Sequence, residues 1–345
     1  MIDNRFQGAR GLAPAVCRKP KDFNMKSLFR ALLPALGLSA AMVLAPVGPA
    51  AHAQQTTEVR MATLAPSALL WLHAIAKDQG FYAERKITVK DLVAGSSPAL
   101  LQAVSSGSVE AGISLGDVVI RAIDQGAPVV IAGAVLGKTI LRLVGGTGVT
   151  TIKQLEGTTV TAGAVEGGTA NLLRFQLQRA GVDARGVKMV ALTNSKDRVV
   201  ALGNGQVKGA LLIAPFDTLA EREGMKMLDV YTEPYVQTPL ILNKTWAEKN
   251  RETAIGLTQA LKKAAVWIYD PANKDKAIDI LAAYTNVPKE TCADSYKFMI
   301  LEQQAIGRNL EVQAAGLENI IKIDQAIGLA APNAKPFELS RYYDA

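Results

Sequence analysis

Residues 59–93 read VRMATLAPSALLWLHAIAKDQGFYAERKITVKDLV. The first six residues suit a strand, and Pro66-Ser67 turns the chain into a helix expected over 67–79. There Leu69, Leu72, Ile75 and Ala76 recur at helical spacing. Gly80 ends that helix. Residues 87–93 then form a second strand. Strand, small-residue turn, helix and strand within about 35 residues is the repeating unit of an open, mostly parallel α/β sheet.

The pattern continues in both directions along the chain. Gly95-Ser96-Ser97-Pro98 is a turn, with Pro98 suited to the first turn of a helix through Val104. Strands are expected over 111–115 and 129–134, with Gly116-Asp117 opening a helix between them. A second series begins after Gly145-Gly146. Its strands are expected over 158–162, 188–192, 209–213, 227–230 and 239–243, and its helices over 169–180, 196–202 and 217–222. From Thr245 the chain is expected to be helical, in segments 245–268, 274–284, 289–304 and 311–328. Two βα series and a helical tail fold most economically as two α/β lobes crossed by two connections. Lobe one takes residues 55–145 and 240–345, and lobe two takes 146–239. Such a hinge lets the lobes close on a ligand in the cleft.

Residues 25–53, MKSLFRALLPALGLSAAMVLAPVGPAAHA, carry a basic start, an apolar run and the small-x-small pattern Ala51-His52-Ala53. They are expected to be a secretory signal cleaved near Ala53, which places the remainder in the periplasm. The chain has 38 Lys+Arg, 31 Asp+Glu and a net charge of +7. Removing the seven basic and two acidic residues of 1–53 leaves 31 and 29, a net of +2. That balance, without a basic stripe interleaved with aromatics, argues against a nucleic-acid partner. Cys17 precedes the expected cleavage point and is lost with the leader, so Cys292 stands alone and no disulfide scaffold is expected.

Several segments are similar to one family. Lys77-Asp78-Gln79-Gly80-Phe81-Tyr82 is followed by Glu84-Arg85-Lys86-Ile87-Thr88-Val89. Leu100-Leu101-Gln102-Ala103-Val104-Ser105-Ser106-Gly107 precedes Glu110-Ala111-Gly112. Thr151-Ile152-Lys153-Gln154-Leu155-Glu156-Gly157 leads into a strand, and Gly167-Gly168-Thr169 opens a helix. The chain resembles the periplasmic substrate-binding proteins of nitrate/sulfonate/taurine import systems, whose relatives also bind pyrimidine precursors and aromatic acids. The resemblance spans about 58–300 and rests on order and spacing. Gln206-Val207-Lys208-Gly209-Ala210 departs from it, with Gly209 where the family often has an acid. The resemblance implies a type II periplasmic binding fold, a monomer, a small-molecule solute, and delivery to the membrane permease of an ABC importer. It implies no cofactor.

Ligands of open α/β sheets bind beyond the carboxyl ends of strands, at helix starts. In lobe one this selects Pro66, Ser67 and Ala68, then Ser96 and Ser97, then Ser114, Gly116 and Asp117, and Lys138. In lobe two it selects Glu166, Gly168, Thr169, Asn194, Pro215 and Asp217. Ser67, Ser97 and Thr169 either donate to a ligand or cap their own helices. Lys138 is the candidate cation for an anion. Glu166 opposes an anion and suits a ligand amine or amide. Asp117 and Asp217 either face the ligand or stabilise helix starts. Trp71 offers a flat surface, whereas Trp246 and Trp267 suit packing. Arg142, on a strand, faces outward or pairs across the lobes.

Catalytic patterns are lacking. Gly133-x-x-x-Gly137-Lys138-Thr139 is one residue short of a phosphate loop. His73 is the single histidine after residue 53 and lies inside the first helix, so with one cysteine no His/Cys metal site is expected. No Ser-His-Asp arrangement is identifiable. The expected function is therefore capture of a small organic anion or nitrate for import. The competing readings are an exported enzyme, a sensory module on the same scaffold, and a receptor for a pyrimidine-like amine.

Overall fold

The computed structural model describes residues 56–329 and 336–344. The expected leader at 25–53 lies outside them. Four strands open the described chain: β1 (Thr57–Thr63), β2 (Ile87–Val93), β3 (Ala111–Ile113) and β4 (Val129–Lys138). Five shorter ones come next: β5 (Arg142–Gly145), β6 (Thr159–Thr161), β7 (Lys188–Val190), β8 (Gly209–Leu212) and β9 (Lys226–Val230). The last, β10 (Pro234–Asn243), returns to the first group. The order is β2-β1-β3-β10-β4 in one sheet and β7-β6-β8-β5-β9 in the other. Each sheet has a single reversed strand, β10 or β5, in its fourth position. The two sheets thus share one plan.

This arrangement moves the expected crossings. β5 belongs to the second sheet and the start of β10 to the first, so the connections are residues 139–141 and 231–233, a few residues before the expected positions. β4 also runs on to Lys138, past its expected end at 134. The cause is pairing. β10 lies antiparallel to β4 with Pro234 opposite Lys138, and beyond the crossing Arg142 is opposite Val230. Backbone groups of 135–138 therefore have ladder partners where a lone strand would have stopped. The two connections run side by side as a two-stranded hinge, and register shifts interrupt the ladder between Pro234 and Ile241.

Helices cover the sheets. They are α1 (Trp71–Asp78), α2 (Ser97–Ser105), α3 (Gly116–Asp124), α4 (Gly168–Arg179), α5 (Ser195–Gly203) and α6 (Phe216–Arg222). The tail supplies α7 (Lys244–Lys249), α8 (Arg251–Ile268), α9 (Lys274–Thr285), α10 (Lys289–Tyr296) and α11 (Ala314–Ala326), with a π-helical turn at Lys297–Glu302. The tail packs on the first half: α8 and α9 lie against α1, and α11 lies against α3 and β10. The first helix starts as a 3-10 turn, Ala68–Leu70, before α1. Its winding of about 3.0 residues per turn rotates the side chains of α1 relative to a continuous α-helix.

Candidate functional site

Loops at the ends of β1 and β2 meet loops of the second sheet around a partly open cavity of about 60 Å³. The first half contributes Leu64–Ser67, Leu69, Ala94–Ser97 and Leu115. The second contributes Gly163, Ala164, Gly167, Thr169, Thr193, Ser195, Arg198 and Ile213. Of the residues expected from sequence, Pro66, Ser67, Ser96, Ser97 and Thr169 line it. Three helix starts converge there, those of α2, α4 and α5, and their dipoles make the cavity electropositive.

The alternatives left open for the hydroxyls now separate. Ser96, not Ser97, caps α2 by accepting from the Ala99 amide at 3.3 Å. Ser97 is buried with its Oγ toward Gly167 of the opposite half. Ser67 is buried and makes no side-chain cap. Thr169 donates its hydroxyl to the Ala162 carbonyl, tying the Gly163–Ala170 loop to the end of β6. The Ala68 amide is already bound to the Ala214 carbonyl at 2.9 Å, a main-chain link between the halves. Ala68 and Pro215 are buried off the cavity, and Asn194 caps α5 by accepting from the Lys196 amide at 3.0 Å.

Other expected residues sit elsewhere. Trp71 has no exposed surface, donates its indole N–H to the Ala277 carbonyl at 3.0 Å and meets the Tyr296 ring edge-on. The 3-10 turn before α1 has rotated it into the core beneath the tail helices. Lys138, carried outward on the extended β4, is exposed and donates to the Gln303 carbonyl at 3.0 Å. Glu166 is exposed. Ser114 is fully buried, its Oγ has no hydrogen-bond partner, and it does not reach the cavity.

The two aspartates take part in buried ion pairs. Asp117 and Asp324 share Arg121, at 3.1 and 2.9 Å, and Asn171 of α4 donates to Asp117 at 2.9 Å from the other half. Gly168 is what lets Asp117 approach: a Cβ there would lie 1.8 Å from Oδ1. Gly116 is required in the same way, because a Cβ would lie 2.1 Å from the Val236 carbonyl oxygen. Asp217 pairs with Arg142 at 3.3 Å, Arg142 also binds Glu221 at 2.8 Å, and its guanidinium stacks 3.8 Å from the Phe298 ring centre. Burial raises the Asp217 carboxyl, against the pull of Arg142.

The residue that sequence reasoning missed is Arg198. It is 2% exposed and faces the cavity. Its side chain donates to the carbonyls of Leu192 at 2.9 Å, of Thr193 at 3.2 Å, and of Leu211. Burial lowers its pKa to about 10, so it stays charged at neutral pH. A signal was present in the sequence. A cation in the first turn of a helix opposes the helix dipole, and Arg198 comes just after the strand-end loop Thr193-Asn194.

A larger concavity of about 630 Å³ lies beside β4, α7, α8 and the C-terminal segment. It belongs to one half and mixes Lys244, Arg251 and Lys262 with Glu248 and Asp344. Among the described residues no group of three or more His, Cys, Asp or Glu is placed to hold a metal, and no helix is long and apolar enough to cross a membrane.

Known proteins share this architecture. The family model described as NMT1/THI5 like matches residues 73–274. No curated protein sequence matches significantly. Among solved structures, one protein of Bordetella bronchiseptica RB50 is similar at 17% identity and a TM-score of 0.69, covering 84% of this chain and 95% of that one. The periplasmic nitrate-binding protein NrtA of Synechocystis PCC 6803 is similar at 14% identity and 0.66, covering 81% and 83%. The alkanesulfonate-binding protein SsuA of Xanthomonas axonopodis pv. citri, bound to MOPS, is similar at 16% and 0.62, covering 80% and 92%. The fold is that of the periplasmic binding proteins.

Proposed function

The chain belongs to the NMT1/THI5-like family, and we propose that it is the extracytoplasmic solute-binding component of an ABC-type importer. In this reading it is exported, closes its two halves on a small organic anion or nitrate, and presents the closed form to a membrane permease. The observation that carries the reading is the cavity itself. It lies at strand ends, is walled by both halves, and is electropositive from three helix starts and one buried guanidinium. The paired hinge strands supply an axis for opening and closing. Binding is favoured over catalysis because the side chains around the cavity are hydroxyls, apolar groups and one arginine, with no carboxylate or imidazole to carry a proton.

Native mass spectrometry of the exported form, with a thermal-shift screen of small acids, sulfonates, nitrate and nitrogen heterocycles, tests this. A retained solute, or a melting temperature raised by one class of them, is the expected outcome. A screen in which no compound binds or stabilises the chain argues against the receptor role.

A further inference from the structure

We infer that Asp117 and Asn171 form a latch that keeps the two halves closed without help from a solute. This goes beyond the receptor reading and does not depend on what the solute is. Three observations carry it. The first is a helix start that its own half leaves uncapped. α4 begins after Gly167, which has no side chain to cap with, and its first turn carries no acid. The carboxylate that complements its dipole comes from the other half instead. Asp117 is 2% exposed, and its Oδ1, which has no hydrogen-bond partner, lies against Gly168, the first residue of α4.

The second is a charge imbalance. In the first half Asp117 and Asp324 share the guanidinium of Arg121. With both carboxylates ionised, that buried group carries one excess negative charge, which water screens poorly. Parting the halves would take from Asp117 both the α4 helix start and the Asn171 amide, which donates to Oδ2 at 2.9 Å. Asn171 is oriented for this bond, because its Oδ1 accepts from Arg174 at 2.7 Å and its N–H groups are thereby turned towards Asp117. The third is that the rest of the seam also joins protein to protein. The Ala68 amide meets the Ala214 carbonyl, Arg222 binds Asp294 at 2.6 Å, and Arg142 stacks on Phe298. Closure is therefore favourable in its own right. One consequence rests on the receptor reading: the solute enters through a less populated open form.

Spin labels at Gln102→Cys on α2 and Val200→Cys on α5 report the separation of the halves. Both positions are exposed, and the two helices start at opposite walls of the cavity. Cys292 is buried and escapes labelling. Label distances are read by pulsed electron–electron resonance on the whole exported chain, after native mass spectrometry shows that it carries no solute. A single short distance is expected with the latch intact. Asn171→Asp sets a second carboxylate against Asp117 while keeping an acceptor for Arg174. It should lower the closed-to-open ratio by roughly 10- to 100-fold, so that a long distance appears. Combining it with Asp117→Asn reverses donor and acceptor across the seam and should bring the short distance back. A long distance as the main population with the latch intact overturns the inference and requires no latch variant to fold. So does a folded Asn171→Asp that keeps the short distance unchanged, or a double variant that stays as open as Asn171→Asp alone. All of these measurements are made without solute, so they leave the receptor reading to be decided by the ligand screen.

Discussion

Arg142 and Arg198 are both buried arginines of the second half, and they are held in opposite ways. Arg142 is neutralised twice over, by Asp217 and Glu221, and is covered by the Phe298 ring of the first half. Arg198 is bound by three carbonyls, and its sequence neighbour Asp197 is exposed and makes no ion pair with it. The first is a closed circuit, whose charge is consumed inside the protein. The second lines the cavity between the halves without an ion-pair partner. Burial alone therefore does not separate a structural cation from a recognition cation; the presence of a counter-ion does.

The comparison is broken most severely at Arg142. Arg142→Met strands Asp217 in the interior, and we expect a loss of about 3–5 kcal/mol in urea unfolding. Arg198→Met strands no carboxylate and should cost clearly less; equal losses would erase the distinction. Next comes Gly168→Ala. Its Cβ would lie 1.8 Å from Asp117 Oδ1, so the seam cannot close as described. Solute affinity should fall by at least about tenfold, or ~1.4 kcal/mol, with far-ultraviolet circular dichroism unchanged.

Titration sharpens the contrast further. Burial, only partly offset by Arg121, pushes Asp324 up to about 6 from the ordinary 3.8. The folded chain thus holds a proton between those values that the unfolded chain lacks. Stability from this group is greatest below the ordinary value and declines as pH rises through 6. Asp324→Asn should therefore gain about 1–2 kcal/mol above pH 6 and nothing at low pH, as read from melting temperature across pH. The smallest effect is expected at Asp91. Burial pulls it up, but hydrogen bonds from His73 and Lys77 bring it down to about 2. Its contribution exists above the ordinary carboxylate value and is lost as pH falls towards 2. Because the group is part-exposed, Asp91→Asn should cost no more than about 1 kcal/mol near neutral pH.

Local signals made much of this molecule legible in its sequence. β2 runs over the residues its apolar pattern predicts, and the turns at Pro66-Ser67 and Ser96-Ser97 and the start of α4 around Thr169 reach the cavity because loops at strand ends must. What could not be read locally depended on partners far along the chain. Lys138 lost its expected place because β10, about a hundred residues later, extends β4. Trp71 lost its own through three residues of tighter winding. Arg198 was passed over because no sequence window shows that its neighbour Asp197 stays exposed while the guanidinium is buried against main-chain carbonyls.

The position of β10 has a consequence for how the chain is made. It lies between β3 and β4, yet it is the last strand of either sheet to leave the ribosome. Until residue 243 is available, β3 and β4 have no neighbour on their facing edges, and the first sheet cannot be completed. The second sheet needs nothing beyond residue 230. The order of assembly is therefore inverted relative to the order of synthesis, with the first half the later to finish. That half carries the pairings of longest sequence separation, which are the slow ones to form and the ones that leave an open strand edge for aggregation or chaperone capture.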